Sequence, residues 1–221
     1  MFTGLIQALG TIKPLGGDSW QITCVSKLSE NIIKDLAYGD SVAVDGVCLT
    51  VEDILPQGFT ASASGETLKR STLGQQEDTK YVNLETSLRV GSKVGGHFVM
   101  GHVDGIGRLV SVEETTNSWE MTFLAPEAID QYIVPKGSIA INGISLTVAE
   151  YQSDLMQFKV AVIPVTYADT NLRYLRPGSW VNLEGDILGK YVEKFLSSGG
   201  RLSSHQEENI TDAFLAENGY L

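Results

Sequence analysis

The chain of 221 residues contains one internal repeat. Residues 41–51 reappear as residues 138–148, and residues 4–10 align with 101–107, both at an offset of 97. A third block, residues 82–85, aligns with residues 181–184 at an offset of 99. Two copies are too few for a solenoid, which needs at least three repeats to cover its core. We therefore expect two closed homologous units, residues 1–97 and 98–189, followed by a separate segment, residues 190–221.

Each repeat has the residue pattern of short β-strands. Apolar and polar residues alternate on both sides of Asp45-Gly46 and of Asn142-Gly143, which predicts hairpins because these pairs tolerate positive φ. Five or six such strands per half predict a small antiparallel barrel and an all-β protein. Helical spacing also predicts short helices in both halves and a C-terminal helix before an acidic tail; the positions are Leu28, Ile32, Ile33, Leu36, Ile129, Ile133, Tyr191, Val192, Phe195 and Leu196.

The charge of the chain excludes several classes of partner. With 16 basic and 27 acidic residues the net charge is −11, which disfavours binding to nucleic acid or to an anionic membrane. Cys24 and Cys48 are too few for a disulfide framework and fit a reducing compartment. The first residues lack a basic signal-peptide region, and no apolar run approaches a membrane span. From the cysteine content and the lack of a signal peptide or membrane span, we expect a cytoplasmic protein.

The repeated blocks are rich in hydroxyl groups and poor in charge. Such residues suit a pocket for a small neutral molecule with many oxygen and nitrogen atoms; the candidates are Thr3, Cys48, Thr50, Ser62, Ser64, Thr67, Ser145, Thr147 and Thr166. Purely structural roles for these residues remain open, because threonine favours strands and cysteine is often a small buried apolar residue. His97 and His102 would either form structural hydrogen bonds or transfer protons. They lack further ligands at metal-binding spacing, so we expect no metal site.

Taken in order, these motifs resemble the riboflavin synthase family, whose members contain two lumazine-binding repeats. The similarity extends from residue 1 to about residue 196, and the ordered set is far more specific than any single motif. The motifs lie at residues 1–4, 45–51, 66–68, 95–97 and 101–104 in the first half, and at 142–148, 182–184 and 189–191 in the second.

The resemblance implies a fold, a reaction and an assembly. The fold is two homologous Greek-key β-barrels with short helices and a C-terminal helix. The reaction is the dismutation of two molecules of 6,7-dimethyl-8-ribityllumazine to riboflavin and 5-amino-6-(D-ribitylamino)uracil, without an added cofactor. The assembly is a homotrimer with active sites between subunits, and association with a lumazine synthase stays open.

The resemblance also assigns site residues. One lumazine is expected against Gly4, Leu5, Ile6, Cys48, Leu49, Thr50, Ser62, Ala63, Ser64, Gly65, Glu66 and Thr67. The other is expected against Gly101, His102, Val103, Lys136, Ser145, Leu146, Thr147, Ile163, Pro164, Val165, Thr166, Tyr167 and Ala168. Phe2 and Thr3 are expected to reach a partner site. The residues expected near the reacting atoms are His102, Ser145, Thr147, Cys48 and Thr50, and Asp186 is expected either to bind ribityl hydroxyls or to assist proton transfer. No single indispensable acid or base is expected among them.

Two departures from the family pattern concern the hairpin turns. Asp45 stands where the family favours Asn, and Asn142 stands where it favours Asp. Three other functions remain as alternatives: a non-catalytic lumazine or flavin antenna similar to lumazine proteins, a nucleic-acid-binding barrel, and a flavin reductase. The retained motifs of the second half favour the enzyme over the antenna, the charge disfavours nucleic acid, and no nicotinamide-binding half follows residue 190.

Overall fold

The computed structural model describes residues 1–26, 29–76, 78–197, 215–216 and 219. The chain divides into two compact units, Met1–Ile187 and Leu188–Leu221. The first unit contains two antiparallel sheets, one from each repeat. None of the helices in the described part of the chain is long and apolar enough to cross a membrane.

The first sheet contains seven strands in the spatial order β4-β3-β7-β1-β2-β6-β5. Its strands are β1 (Ala8–Gly16), β2 (Ser19–Cys24), β3 (Ser41–Val44), β4 (Val47–Thr50), β5 (Asp53–Leu55), β6 (Gly58–Ser62) and β7 (Lys80–Thr86). Apolar side chains from alternate positions fill its interior. Among the fully buried ones are Ile12, Ile22, Phe59 and Leu84.

The second sheet is a closed barrel of six strands in the order β10-β11-β12-β9-β8-β13. Its strands are β8 (Gly105–Glu114), β9 (Trp119–Leu124), β10 (Ser138–Ile141), β11 (Ile144–Gln152), β12 (Gln157–Val162) and β13 (Trp180–Gly185). Its core mirrors that of the first half. Among its fully buried side chains are Leu109, Phe123, Phe158 and Leu183.

The two sheets differ at one strand, and the repeat explains why. Strand β11 pairs with β10 over residues 144–147 and with β12 over residues 148–152, and it carries a bulge between Val148 and Glu150. At the offset of 97, β11 corresponds to β4 and β5 together, and the bulge corresponds to the break between them. Glu52 in that break still donates its backbone N–H to the Thr60 carbonyl at 2.9 Å. The chain therefore continues from β4 to β5, although the ladder is interrupted there.

Both predicted hairpins are present. The turns between β3 and β4 and between β10 and β11 use the left-handed region, with φ values of 48° at Asp45 and 46° at Asn142 and positive φ at the following glycines. The all-β class with two small barrel-like sheets, short helices and a C-terminal helix is confirmed.

Five helices complete the described fold: α1 (Ser29–Asp35), α2 (Gly65–Arg70), α3 (Glu127–Asp130), α4 (Pro164–Asp169) and α5 (Ile187–Ser197). Ile32 and Leu36 pack into the first core, and Ile129 and Ile133 pack into the second, as their spacing predicts. Two 3-10 turns, Thr72–Gln75 and Asn171–Tyr174, follow α2 and α4. Leu28 lies outside the described residues.

The second compact unit contains most of α5, which begins at Ile187. The predicted helix around Tyr191 and Phe195 is therefore present, and both side chains are exposed. The other exposed apolar side chains of this helix are Leu188, Val192 and Leu196. Most of the acidic tail predicted for residues 201–221 lies outside the described residues.

Candidate functional site

The amino-terminal segment of each repeat packs against the other repeat. The Ser145 backbone N–H donates to the Gly4 carbonyl at 2.8 Å, and the Cys48 N–H donates to the Gly101 carbonyl at 2.9 Å. Gly4 and Gly101 are equivalent at the offset of 97, as are Cys48 and Ser145. We call residues 2–6 and 99–103 the crossing arms, because each belongs to one repeat and lies on the other.

Glycine is required where each arm meets the opposite sheet. Gly4 has φ +76°, and a Cβ there would lie 2.5 Å from the Ser145 Cβ. Gly101 has φ +80°, and a Cβ there would lie 2.6 Å from the Cys48 Cβ. An L side chain would meet both an unfavourable backbone conformation and a steric overlap.

A buried carboxylate anchors each arm. Glu85 accepts hydrogen bonds from the backbone N–H groups of Thr3 at 2.7 Å and Gly4 at 3.0 Å, and from the Thr3 hydroxyl at 2.7 Å. Glu184 accepts from the N–H groups of Met100 at 2.6 Å and Gly101 at 3.0 Å. Burial raises the pKa of Glu85, and these hydrogen bonds oppose that rise.

Each crossing arm also packs an apolar side chain against the core of the opposite half. Ile6 packs against the core of the second half, and Val103 packs against the core of the first half. The family resemblance groups Gly4, Leu5 and Ile6 with Cys48 around one lumazine. The structure places them beside Ser145, and it places Gly101 beside Cys48. Sequence offsets identify equivalent residues, but they do not show which half an arm contacts.

A pocket of about 200 Å³ opens where the first arm meets the second half. Its lining combines apolar side chains with hydroxyl groups and one carboxylate; it consists of Gly4, Leu5, Ile6, Ile144, Ser145, Val165, Thr166, Asp169 and Thr170. Six of these were expected from the sequence, whereas Ile144, Asp169 and Thr170 were not. This composition suits an uncharged ligand with several hydrogen-bonding groups.

His97 contacts a residue of this pocket, Ser145. The His97 Nδ1 lies 2.7 Å from the Ser145 Oγ, and the backbone N–H of His97 donates to the Thr3 carbonyl at 3.2 Å. Burial lowers the pKa of His97, and the Asp186 carboxylate acts in the opposite direction. A neutral imidazole here can exchange a proton with the Ser145 hydroxyl. From the sequence, His97 is expected to form structural hydrogen bonds or to transfer protons, but it is not assigned to either ligand pocket.

The equivalent surface of the first half carries Cys48, Thr50 and Thr67. Cys48 and Thr67 are partly buried, Thr50 is exposed, and His102 on the second arm is exposed. Ser64 caps α2 by accepting from the Thr67 N–H at 3.2 Å. The Ser62 hydroxyl is bonded to the Ser19 Oγ at 2.8 Å and to the Glu52 Oε2 at 3.1 Å. The thiol of Cys48 therefore occupies the position that the Ser145 hydroxyl has in the second half.

The other expected site residues fall into two groups. Phe2, Leu49 and Leu146 are buried, with Phe2 fully enclosed in an apolar cluster with Ala43, Val99 and Ala140. Phe2 is therefore not at a surface that a ligand reaches within this chain. The exposed or partly exposed group consists of Ala63, Gly65, Glu66, Lys136, Thr147, Ile163, Pro164, Tyr167, Ala168 and Asp186.

No group of three or more His, Cys, Asp or Glu side chains within the described ranges could hold a metal ion. Cys24 and Cys48 are not joined by a disulfide.

Comparison with known proteins gives the family. The family model for the lumazine binding domain matches residues 3–87 and 100–186. The riboflavin synthase of Actinobacillus pleuropneumoniae is 39% identical over 221 residues, which cover 100% of both chains. The riboflavin synthase of Bacillus subtilis (strain 168) is 36% identical over 220 residues, again 100% of both. A riboflavin synthase of Mycobacterium tuberculosis is 40% identical over 205 residues, 90% of this chain and 100% of that one.

The fold is also that of LumP, solved as a crystal structure in complex with riboflavin. The TM-score is 0.74 at 24% sequence identity, covering 84% of this chain and 99% of LumP. At this identity the likeness establishes the fold alone. The duplicated sheets and the family model define a protein with two lumazine-binding domains. With its full-length relatives, the chain belongs to the riboflavin synthase family of enzymes.

Proposed function

We propose that the chain converts two molecules of 6,7-dimethyl-8-ribityllumazine to riboflavin and 5-amino-6-(D-ribitylamino)uracil, the last step of riboflavin formation. One lumazine gives a four-carbon unit to the other. The two substrates contain every atom of the two products, so the stoichiometry requires no co-substrate or oxidant. The observation that carries the proposal is the pair of equivalent crossing arms, because they give one chain two similar ligand-binding surfaces.

The second-half pocket supplies groups suited to one of the two rings. The Ser145 hydroxyl and the Thr166 side chain offer hydrogen bonds without net charge. The reaction requires removal of a proton from the C7 methyl of one lumazine, and the resulting anion is delocalised into its ring. Modest hydrogen-bond donors can stabilise such a charge. Ser145, supported by His97 at 2.7 Å, can hold or move a proton at its Oγ.

The first-half surface presents different chemistry on a similar scaffold. Cys48 is partly buried next to Gly101, with Thr50 two residues further along the strand. A thiol is a better nucleophile than a hydroxyl, so the two surfaces would treat identical substrates differently. His102, Thr147 and Asp186 complete the residues that we place near the reacting atoms. Most of the rate enhancement is expected from holding two rings in a fixed relative orientation.

The oligomeric state belongs to the same proposal. We propose a homotrimer in which the first half of one subunit faces the second half of another, with the site between them. The apolar residues exposed on α5, among them Leu188 and Phe195, support association through this helix. Sedimentation equilibrium tests the trimer directly. Association with a lumazine synthase would appear as co-sedimentation with that enzyme.

Two further parts of the proposal concern domains and location. Domain boundaries at residues 1–97, 98–189 and 190–221 are supported by the two family matches, which lie within the first two ranges. A cytoplasmic location is supported by the two cysteines, which are not joined by a disulfide. Limited proteolysis and cell fractionation test these two statements.

Turnover tests the proposed activity. The purified chain is mixed with 6,7-dimethyl-8-ribityllumazine in buffer containing a chelator, and riboflavin is followed by absorbance and chromatography. The proposal requires riboflavin to accumulate beyond one molecule per chain. If the lumazine binds but persists, the chain is a non-catalytic antenna or storage protein instead.

A further inference from the structure

A second cavity lies between the two halves, away from the crossing arms. It has a volume of about 440 Å³, within the roughly 300–1,000 Å³ that is typical of small-molecule sites. It shares no lining residue with the pocket at Ser145. Its lining consists of Thr72, Gln75, Gln76, Asp78, Thr79, Lys80, Leu175, Ser179 and Trp180. We call it the seam cleft.

Comparison of the two repeats shows that the seam cleft lacks one aromatic side chain. At the offset of 99, Trp180 corresponds to Tyr81 and Gln75 corresponds to Tyr174. The rings of Tyr81 and Tyr174 stack across the seam, with centroids 4.3 Å apart and planes 11° apart. At the equivalent place the seam cleft has Trp180 and Gln75. One aromatic ring of the equivalent pair is therefore missing there, and the cavity occupies its place.

The remaining aromatic side chain of the cleft, Trp180, is accessible and contacts Arg108. The Trp180 side chain is 54% exposed, and the Arg108 guanidinium carbon lies 5.9 Å from its ring centroid. Exposed tryptophan rings gain stabilisation from stacking against a planar partner. Gly74 precedes Gln75, and a Cβ at Gly74 would lie 2.2 Å from the Leu68 carbonyl oxygen. The arginine that covers Tyr174, Arg173, therefore has no counterpart in the first half.

Polar groups line the rest of the cleft. The Gln76 Oε1 is buried and has no hydrogen-bond partner among the described residues. The Nε2 of the same side chain donates to the Asp78 carbonyl at 2.8 Å, which fixes the orientation of the amide. Lys80 donates to the Thr72 hydroxyl at 3.1 Å. Asp78, Thr79 and Ser179 add further hydrogen-bonding groups to the lining.

We propose that the seam cleft binds a planar heteroaromatic small molecule of one or two fused rings, stacked on Trp180 and hydrogen-bonded to polar side chains that line the cleft. The ligand takes the place that Tyr174 fills on the other side of the seam. The cleft differs from the lumazine site in position and in residues, so its occupation is independent of the reaction proposed above.

Quinazoline-2,4-dione is a suitable probe, because it is a flat bicyclic ring with two N–H donors. Its binding is measured by calorimetry on the full chain and on Gln75→Tyr, which restores the missing ring. Gln75 is exposed, so the substitution should leave folding and riboflavin formation unchanged. We expect the wild-type chain to bind one more probe molecule per chain than Gln75→Tyr does, whatever binds at the lumazine sites.

A second readout identifies the residue that contacts the probe. Tryptophan fluorescence of the wild-type chain should be quenched on titration, and the quenching should fall by more than half in Trp180→Phe. Equal probe stoichiometry in the wild type and in Gln75→Tyr overturns the proposal. So does a change in oligomeric state of Gln75→Tyr without a change in probe uptake, since a second copy of the chain would then fill the cleft.

Discussion

Phe2 and Val99 form an antiparallel pair although they are 97 residues apart. The Phe2 N–H donates to the Val99 carbonyl at 2.7 Å, and the Val99 N–H donates to the Phe2 carbonyl at 3.1 Å. Because the two residues are equivalent in the repeat, the axis relating the halves passes between them. Gly46 and Gly143, another equivalent pair, also meet there: a Cβ on Gly46 would lie 2.6 Å from the Gly143 nitrogen. The arms therefore cross at the axis of the duplication.

Alanine at Gly4 or Gly101 should displace an arm. Each change combines left-handed strain of about 1–2 kcal/mol with an overlap costing about 1–3 kcal/mol. Gly91→Ala is the matched control, since Gly91 has φ +88° but open space around its Cβ position. Denaturant unfolding should show about 1–2 kcal/mol lost for Gly91→Ala and more for the other two. Equal losses in all three would show that the close approach to Ser145 and Cys48 has no energetic effect.

Removing the Glu85 carboxylate should release the first arm. Glu85→Ala leaves two buried N–H groups without their acceptor, which costs about 3 kcal/mol of unfolding free energy. Riboflavin binding should weaken by about tenfold because Gly4, Leu5 and Ile6 line the pocket. Fluorescence titration measures the binding. The exposed Glu114→Ala should change stability by less than about 0.5 kcal/mol, and a similarly small effect for Glu85→Ala would disprove its anchoring role.

The titration of Asp45 should make the free energy of unfolding decrease as the pH rises. Burial is the main influence on its carboxyl and raises the pKa from 3.8 to about 7, although Lys80 and the Asn83 N–H act in the opposite direction. The folded chain then binds more protons than the unfolded chain between about pH 4 and pH 7. The unfolding free energy should fall over this range by about 2–4 kcal/mol.

Asp45→Asn removes this titration, so its unfolding free energy should depend less on pH than that of the wild type. At pH 8 the variant should be at least as stable as the wild type. The mirror substitution Asn142→Asp should steepen the dependence, because Asn142 is buried at the equivalent turn. Urea unfolding at pH 5, 6, 7 and 8 measures all three proteins, and parallel curves would contradict the account of Asp45.

His97 should set the acidic limit of turnover. Burial lowers the pKa of His97 below the ordinary value of a histidine, although the Asp186 carboxylate opposes this shift, so the imidazole gains its proton at a lower pH than an exposed histidine does. We expect kcat/KM to fall at acidic pH, as the imidazole gains a proton. His97→Gln should lower kcat/KM by at least tenfold and lose this decline. A decline at an unchanged pH in His97→Gln would assign it to another group.

The sequence predicts the fold better than it predicts the site. The repeat, the Asp45-Gly46 and Asn142-Gly143 turns and the alternating strands depend on neighbouring residues, so they are readable from local patterns. The crossing of Gly4 to Ser145 is a contact over 141 residues, and no local pattern encodes it. The sequence indicates His97 as a candidate for proton transfer, but it does not indicate the contact with Ser145, which lies 48 residues away. The absence of an aromatic partner for Trp180 follows from the repeat offset together with the observed Tyr81–Tyr174 stack, and the sequence alone does not contain that stack.

The most direct test of the proposed reaction between two lumazines blocks one of the two ligand-binding surfaces, the second-half pocket or the first-half surface, at a time. Thr67 and Thr166 are equivalent, partly buried and close to their respective surfaces, so tryptophan at either position should fill one pocket and leave the other intact. Riboflavin binding is measured by equilibrium dialysis and turnover by chromatography of lumazine and riboflavin. We predict that Thr67→Trp and Thr166→Trp each bind one riboflavin fewer per chain than the wild type and that neither forms riboflavin. Wild-type turnover by either variant would contradict the account, because one pocket would then suffice for a reaction between two lumazines.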